Sequence, residues 1–251
     1  DSPQTPHHRP SHRTMELGVL NILLCCFAPS AFWLLYWYFR ASEVRSEWRF
    51  LVAFFLAGLV SGPIALTLFE GLEFTPFYAQ LAAIEESTEV EKFAYSMFAI
   101  GPVEELAKFL AVWICLRILE REVNVARDGL TFAVATALGF ATIENWKYMV
   151  AVEELIWHRA LTLPFNHVLF SSFWGIGFKL HARGLEGGTL WLIAGIVLSS
   201  VYHGLYNFIL LSSEVPNITV VPLIFGLWVW LVIAIPRTQT LEGSPRKDER
   251  D

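Results

Sequence analysis

Residues 93–116, FAYSMFAIGPVEELAKFLAVWICL, decide the fold of this protein and also mark its chemistry. A transmembrane helix needs about 20 consecutive, predominantly apolar residues, and this stretch is long enough. Glu104, Glu105 and Lys108 nevertheless lie in its middle. Ionisable side chains are costly inside a membrane unless they are paired or hydrated, and they are functional candidates by default. We therefore interpret the stretch as a membrane-spanning helix that carries part of a functional site.

The composition of the whole chain agrees with a membrane protein. Of its 251 residues, 55% are hydrophobic and 17% are charged, with a mean hydropathy of +0.47. Soluble domains carry about 25% charged residues, so this chain has too few charged side chains to cover a soluble core. The composition also excludes a disordered chain, and three cysteines inside apolar runs do not indicate a disulfide framework. A net charge of −6 argues against a nucleic-acid partner.

Seven segments are long and apolar enough to be interpreted as membrane spans: 17–39, 50–69, 93–116, 129–150, 163–180, 189–211 and 217–235. The predicted fold is therefore all-α, a polytopic integral membrane protein with about seven transmembrane helices. We expect one transmembrane domain over 17–235, with its catalytic core at 93–211. It lies between a disordered polar tail at 1–16 and a charged tail at 236–251. The 70–92 connection is expected to hold a short interfacial helix.

The Lys and Arg residues of the predicted connections are unevenly distributed. Twelve lie on one side: Arg40, Arg45, Arg49, Arg117, Arg121, Arg127, Lys179, Arg183, Arg237, Arg246, Lys247 and Arg250. Four lie on the other: Arg9, Arg13, Lys92 and Arg159. Because positive charge is enriched in cytoplasmic connections, the N-terminus is predicted outside and the C-terminus inside.

Ionisable side chains other than cysteine occur only in the third to sixth spans: Glu104, Glu105, Lys108, Glu144, Lys147, His167 and His203. A buried ion pair that fixes helix packing explains one such pair equally well, but it does not explain polar groups on four consecutive spans. At about 1.5 Å per residue, the glutamate and histidine positions lie roughly 6–16 Å below the outer ends of their spans. We therefore expect one cavity that is open to water from the outside.

Local spacing adds detail to the expected site. Glu104 and Lys108 are four residues apart, in the order that favours an intrahelical ion pair. The preceding Gly101-Pro102 step can break or kink the helix. Glu105 points about 100° away from Glu104, and two adjacent buried carboxylates suit acid–base chemistry. In the sixth span His203 and Asn207 are also four residues apart, which places an imidazole and a carboxamide on one helix face.

Four motifs on these spans resemble those of the PrsW family of intramembrane proteases. They are Glu104-Glu105-Leu106-Ala107-Lys108 (EExxK), Phe140-Ala141-Thr142-Ile143-Glu144 with Asn145 (FxxxE), His167, and His203-Gly204-Leu205-Tyr206-Asn207 (HxxxN/D). This family belongs to the CPBP/Abi group, which also contains the CAAX prenyl endopeptidases. The resemblance covers about residues 93–211. It implies hydrolysis of a peptide bond in a single-span membrane protein, near the outer face of a prokaryotic plasma membrane.

The candidate catalytic residues take separate roles in this interpretation. Glu104 or Glu105 acts as general base on a water molecule and later protonates the leaving amine. Lys108 keeps one carboxylate ionised, and His167 orients the water or the second carboxylate. His203 and Asn207 donate hydrogen bonds to the developing oxyanion.

Two mechanisms remain open, and we place the metal-free one first. In the other, Glu144, His167 and His203, with one glutamate of the third span, bind Zn²⁺ that activates the water. The chain contains no HExxH motif. It also departs from the family pattern at Ser171, where an acidic residue is expected, and at Asn207, where Asp is common. Both departures remove carboxylates that can bind a metal.

Two other classes of protein fit part of the pattern. A proton-coupled transporter or channel would explain the buried charges and the Gly-Pro breaks at 62–63 and 101–102. However, the chain shows no repeat, has an odd number of predicted spans, and confines its polar groups to one half of the membrane. A non-catalytic membrane protein that binds a peptide or a lipid is distinguished only by an activity measurement.

Overall fold

A computed structural model describes residues 12–40, 48–73, 87–119, 125–152 and 157–240, and this part of the chain is helical, without strands. The helices are α1 His12–Arg40, α2 Trp48–Glu73, α3 Glu89–Tyr95, α4 Gly101–Leu119, α5 Val125–Val152, α6 Trp157–Ala182, α7 Gly188–Leu211 and α8 Val220–Thr240. A π-helical turn, Ser96–Ile100, joins α3 to α4, and a 3₁₀ turn, Asn217–Thr219, precedes α8. The all-α prediction is thus confirmed for the described residues.

Four of these helical stretches are long and apolar enough to cross a membrane: Gly18–Arg40, Trp48–Leu72, Gly188–Leu211 and Asn217–Arg237. The other three predicted spans also coincide with long helices, since α3, the π turn and α4 follow one another without interruption. They are more polar because they carry the ionisable residues. Helices α5 and α6 are enclosed by neighbouring helices along much of their length, so their polar side chains avoid lipid. The seven-span orientation stays a prediction.

The core of the bundle lies between α5 and α6. Val134 and Leu138 of α5 pack in one hydrophobic cluster with Leu169 and Phe173 of α6. Helix α2 approaches α5 so closely that a Cβ atom on Gly139 would lie 2.0 Å from the carbonyl oxygen of Phe55. Small residues that let helix backbones touch are typical of membrane interiors. This packing holds α5 and α6 in place independently of their polar groups.

A second close backbone contact joins the beginning of α4 to α7. A Cβ atom on Gly101 would lie 2.1 Å from the carbonyl oxygen of Ser200 and 2.8 Å from the backbone nitrogen of Gly204. No other residue type fits at Gly101 without moving one of the helices. The contact brings the first turn of α4, which carries Glu104 and Glu105, next to His203 of α7.

The Gly101-Pro102 step changes the helix locally and does not end it. Pro102 has no N–H, and its ring would clash with the carbonyl group four residues earlier in a regular α-helix. The π turn Ser96–Ile100 widens the helix at this point, and the N–H of Gly101 donates to the carbonyl oxygen of Ser96. Such π turns inside α-helices are frequent at functional sites.

The structure describes the ends of the chain and the long 70–92 connection only in part. Helix α1 begins at His12 and α8 continues to Thr240, beyond the predicted span ends at 17 and 235. The rest of both predicted tails, 1–11 and 241–251, lies outside the described residues. So does 74–86, which contains most of the expected interfacial helix, whereas Glu89–Tyr95 forms α3.

Candidate active site

A continuous series of ion pairs and hydrogen bonds connects α4, α5, α6 and α7. In order, it joins Arg159, Glu144, His167, Lys108, Glu105 and His203. Glu104 lies at the end of the series, beside His203. The structure therefore brings together six of the seven predicted catalytic residues, and it adds Arg159. The seventh, Asn207, lies one turn beyond His203 on α7.

Glu105 is the most completely bonded of the three site carboxylates. Its side chain is fully buried, and each of its two oxygens accepts at least two hydrogen bonds. The donors to Oε1 are Lys108 Nζ at 2.6 Å and His203 Nδ1 at 2.9 Å, and the donors to Oε2 are Ser199 Oγ at 2.8 Å, Ser171 Oγ at 2.9 Å and Trp174 Nε1 at 3.0 Å. A carboxylate has about four lone-pair sites. All of them are used, so Glu105 has no oxygen left for a water molecule.

The partner of Lys108 corrects one sequence prediction. The spacing favours a Glu104–Lys108 pair, whereas the ammonium group of Lys108 binds Glu105, three residues before it. Both spacings bring side chains together on a helix. The ammonium group of Lys108 is fully buried, where it also donates to His167 Nδ1 at 2.8 Å and lies 4.2 Å from the centre of the Phe140 ring. In this position its carboxylate partner is Glu105.

Sequence reasoning did not assign Ser171, Ser199 and Trp174 to the site. Their side chains form a cradle around Oε2 of Glu105. An acidic residue at position 171 would place a second carboxylate against that oxygen, so serine is the residue type that fits this arrangement. The signal available in the sequence was the presence of serines in otherwise apolar predicted spans.

Glu104 differs from its neighbour because one of its oxygens is available. Oε2 of Glu104 is buried and has no hydrogen-bond partner. It lies 3.5 Å from Nε2 of His203, and the Glu104 side chain retains 12% exposure. Buried polar atoms without a partner are rare and call for an explanation such as a missing water, ion or substrate.

Glu144 and His167 form the next part of the series. Nδ1 of His167 must accept a hydrogen bond, because the ammonium group of Lys108 can only donate. The ring proton is therefore on Nε2, which donates to Oε2 of Glu144 at 2.8 Å. The other oxygen of Glu144 accepts from Nη2 of Arg159 at 2.5 Å.

The remaining sequence candidates lie at the margin of this network. The amide group of Asn207 donates to the backbone carbonyl oxygen of His203 at 3.2 Å, one turn earlier on the same helix. Asn145 is fully buried, and neither its Oδ1 nor its Nδ2 has a partner. Lys147 is exposed. The role of Asn207 as an oxyanion donor stays a prediction.

Three residues in the described ranges can hold a metal ion together. Glu104, His167 and His203 each offer a ligand atom, and these atoms lie within 4.8 Å of one another. The sequence interpretation had Glu144, His167 and His203 with one glutamate of the third span; the structure places Glu104 with the two histidines, whereas Glu144 accepts from Arg159 and His167. Two histidines and a carboxylate are a common ligand set of catalytic zinc.

The surroundings of the two histidines also suit a metal. Each ring donates one N–H to a carboxylate, His203 to Glu105 and His167 to Glu144. Histidines that bind zinc usually have such a partner, which fixes the tautomer and the direction of the ring. Glu104 Oε2 is unpartnered, whereas His167 Nδ1 would have to exchange its contact with Lys108. The residues therefore fit Zn²⁺ after one local rearrangement.

The fold and the site define a helical membrane protein with a buried glutamate–histidine centre. The sequence profile described as "PrsW family intramembrane metalloprotease" matches residues 46–235. Because this match covers most of the chain, the protein belongs to that family.

Several bacterial relatives have the same family name. Protease PrsW of Geobacillus kaustophilus is 26% identical over 198 residues, which cover 78% of this chain and 82% of the relative. Protease PrsW of Oceanobacillus iheyensis is 26% identical over 87% of this chain and 96% of the relative. That of Bacillus subtilis is 24% identical over 82% and 90%. No solved structure gave a significant match.

Proposed function

We propose that this protein hydrolyses a peptide bond of a membrane-anchored substrate, and that Glu104 is the carboxylate that contacts the reacting water. Membership of the PrsW family supports an intramembrane peptidase. The observation that carries the proposal is the buried, unpartnered Oε2 of Glu104, 3.5 Å from Nε2 of His203. Glu105 is excluded from this role by its five hydrogen-bond donors.

The charge balance of the site supports acid–base chemistry at Glu104. Three carboxylates, those of Glu104, Glu105 and Glu144, lie among two cations, Lys108 and Arg159. With neutral histidines, the formal charge is therefore −1. A buried net charge is unfavourable, so the site favours binding one proton or one cation. That proton or cation would be held between Glu104 and Nε2 of His203, because the other two carboxylates already have cationic partners.

His203 is the second residue that we place at the reacting atoms. Its Nδ1–H donates to Glu105, which leaves Nε2 facing Glu104. An imidazole held in this way by a carboxylate is stabilised when it gains a proton. In the metal-free mechanism Glu104 takes a proton from the attacking water and later gives it to the leaving amine. The one proton that the site favours is carried in this form on Nε2 of His203, 3.5 Å from the ionised Glu104, and Nε2 donates to the oxyanion.

In the metal-dependent mechanism, Glu104, His167 and His203 would hold Zn²⁺, which would supply Lewis acidity to the scissile carbonyl group and to the attacking water. Glu105 and Glu144 then orient the two imidazole rings. In both mechanisms Glu104 and His203 act at the reacting atoms, either directly or as ligands of the ion.

For the substrate we propose a single-span membrane protein cut near the outer face of a bacterial plasma membrane. The proposal depends on the Lys and Arg distribution, which predicts that the site opens outward. Because the site is buried in the helical bundle, we propose that the substrate helix enters laterally and is then extended for cleavage. We propose no nucleic-acid partner.

The test uses the purified full chain in nanodiscs with a tagged single-span substrate. Glu104→Gln is expected to lower the cleavage rate at least about 100-fold, because Gln cannot take up a proton. Glu186→Gln, an exposed position in the turn between α6 and α7, is the matched control and should cleave like the parent. Equal cleavage by Glu104→Gln and the parent would overturn the proposal.

The same preparation separates the two mechanisms. Elemental analysis measures the zinc content, and a chelator challenge measures whether activity needs the metal. Activity in a preparation without stoichiometric metal assigns the proton transfer to Glu104 itself. Loss of activity on chelation, restored by Zn²⁺, assigns Glu104 to the metal.

A further inference from the structure

Arg159 enters the site from the first turn of α6. Its guanidinium donates to Oε1 of Glu144 at 2.5 Å and lies 3.7 Å from the centre of the Tyr148 ring. The side chain is only 16% exposed. In the sequence this residue counts merely as one of few positive charges on the outer side. In the structure it is the cation that begins the polar series, next to Glu144.

The two oxygens of Glu144 have different partners. Oε1 accepts from Arg159, and Oε2 accepts from Nε2 of His167. A carboxylate held at both oxygens cannot rotate freely. The aromatic ring of Tyr148 below the guanidinium further restricts Arg159, since a guanidinium stacks well on an aromatic face. The direction of the His167 ring therefore depends on Arg159 through Glu144.

We propose that Arg159 is a positioning residue of the active site, which acts through Glu144 to aim His167 at Glu104 and His203. This inference rests on the proposed function and extends it to a residue outside the four motifs. Arg159 contributes to the rate by holding the site in its reactive arrangement, and not by binding the substrate.

The contact is not required to hold the two helices together. Helices α5 and α6 share an extensive hydrophobic core that includes Val134, Leu138, Leu169 and Phe173. The Arg159–Glu144 pair lies at the outer end of this interface and is partly exposed. Variants at position 159 are therefore expected to fold, and a loss of activity is informative.

The kinetic test compares Arg159→Met, Arg159→Lys, Glu144→Gln and the double variant Arg159→Met/Glu144→Gln in nanodiscs. Arg159→Met is expected to lower kcat about 10- to 100-fold, as for other partners of site histidines, with KM within about twofold. Arg159→Lys should recover part of the loss, because an ammonium still reaches one carboxylate oxygen. The double variant should be no slower than Glu144→Gln alone. Lys147→Met, an exposed cation on α5, is the control.

The contrary results are equally specific. A higher KM with unchanged kcat would assign Arg159 to substrate binding and overturn the inference. So would losses that multiply in the double variant, or an Arg159→Met variant as active as the parent. Should Arg159→Met fail to fold, as size-exclusion chromatography shows, Arg159→Lys carries the same comparison.

A spectroscopic measurement separates this inference from the proposed function. In protein with ¹⁵N-labelled histidine, NMR reports which ring nitrogen of His167 carries the proton. The Nε2–H form is expected in the parent and should be lost or broadened in Arg159→Met, while the signals of His203 persist. Unchanged His167 signals would overturn the positioning role even if the parent cleaves. If the parent does not cleave, the proposed function fails and the spectrum still decides whether Arg159 orients the ring.

Discussion

Nδ1 of His203 lies 2.9 Å from Oε1 of Glu105, across the contact between α7 and α4. This hydrogen bond turns the other ring nitrogen toward Glu104, at 3.5 Å. Two adjacent glutamates thereby have different surroundings: Glu105 orients the imidazole, and Glu104 keeps a free oxygen beside it, where we propose that the reaction takes place. The difference between the two carboxylates leads to the first prediction.

Glu104→Gln and Glu105→Gln are expected to change stability differently. Glu105→Gln removes the charge that pairs with the fully buried Lys108, and an unpaired buried charge costs about 3–5 kcal/mol. Glu104→Gln removes an unpartnered carboxylate from a site with a net negative charge, so stability should be unchanged or higher. Thermal unfolding in detergent measures both. A larger loss for Glu104→Gln would contradict the assignment of roles.

Substitutions of Ser171 test the cradle around Glu105. Ser171→Ala removes one hydrogen bond to a buried carboxylate, which costs about 1.5–3 kcal/mol. Ser171→Asp should be more damaging, because it places a second negative charge against Oε2 of Glu105. Thermal unfolding and cleavage rates of both variants provide the comparison. If Ser171→Asp is as stable as the parent, position 171 does not face Glu105 as the structure shows.

Gly101→Ala is expected to separate α4 from α7 and to abolish cleavage. The new Cβ atom would lie 2.1 Å from a backbone oxygen of Ser200, which cannot move without shifting α7. His203 would then lose its alignment with both glutamates. Gly226→Ala in α8 is the matched control, because nothing lies within 4 Å of its Cβ position. Parent-like cleavage by Gly101→Ala would show that the close helix contact is not needed.

Glu89 is expected to make the attachment of α3 to the end of α7 sensitive to acid. The hydroxyl of Ser212, the ammonium group of Lys92 and the backbone N–H of Ser213 lower the pKa of Glu89 from 4.5 to about 2. Because the folded-state pKa is lowered, the stabilisation is fully present well above pH 4.5 and is lost as the pH falls toward 2.

The measurement for Glu89 is a comparison of unfolding with pH. The difference in thermal midpoint between the parent and Glu89→Gln should be constant from pH 6 to 8 and should shrink below about pH 4.5. Glu214→Gln, at an exposed acid in the same loop, is the control. A difference that stays constant down to pH 2.5 would contradict the role of the Glu89 carboxylate.

The helices were predictable from the sequence because the length of an apolar segment is a local property. The predicted segment 189–211 differs from α7 by one residue, and 50–69 lies inside α2. The motif residues of the third to sixth spans were also predictable as one site, since their similar depth follows from helix rise alone. For Gly101-Pro102 the sequence predicted an irregular helix but not its form, because the sequence does not distinguish a kink from a π turn.

The sequence by itself determined the helical class, the four site-bearing segments and the family, through apolar length and motif order. The tertiary structure decided which glutamate binds Lys108, which one keeps a free oxygen, and that Arg159 reaches Glu144. The physical reason is the direction of side chains. Neighbouring residues on a helix point about 100° apart, and only the packing of α4 against α7 at Gly101 determines which glutamate binds Nδ1 of His203 and which one faces Nε2.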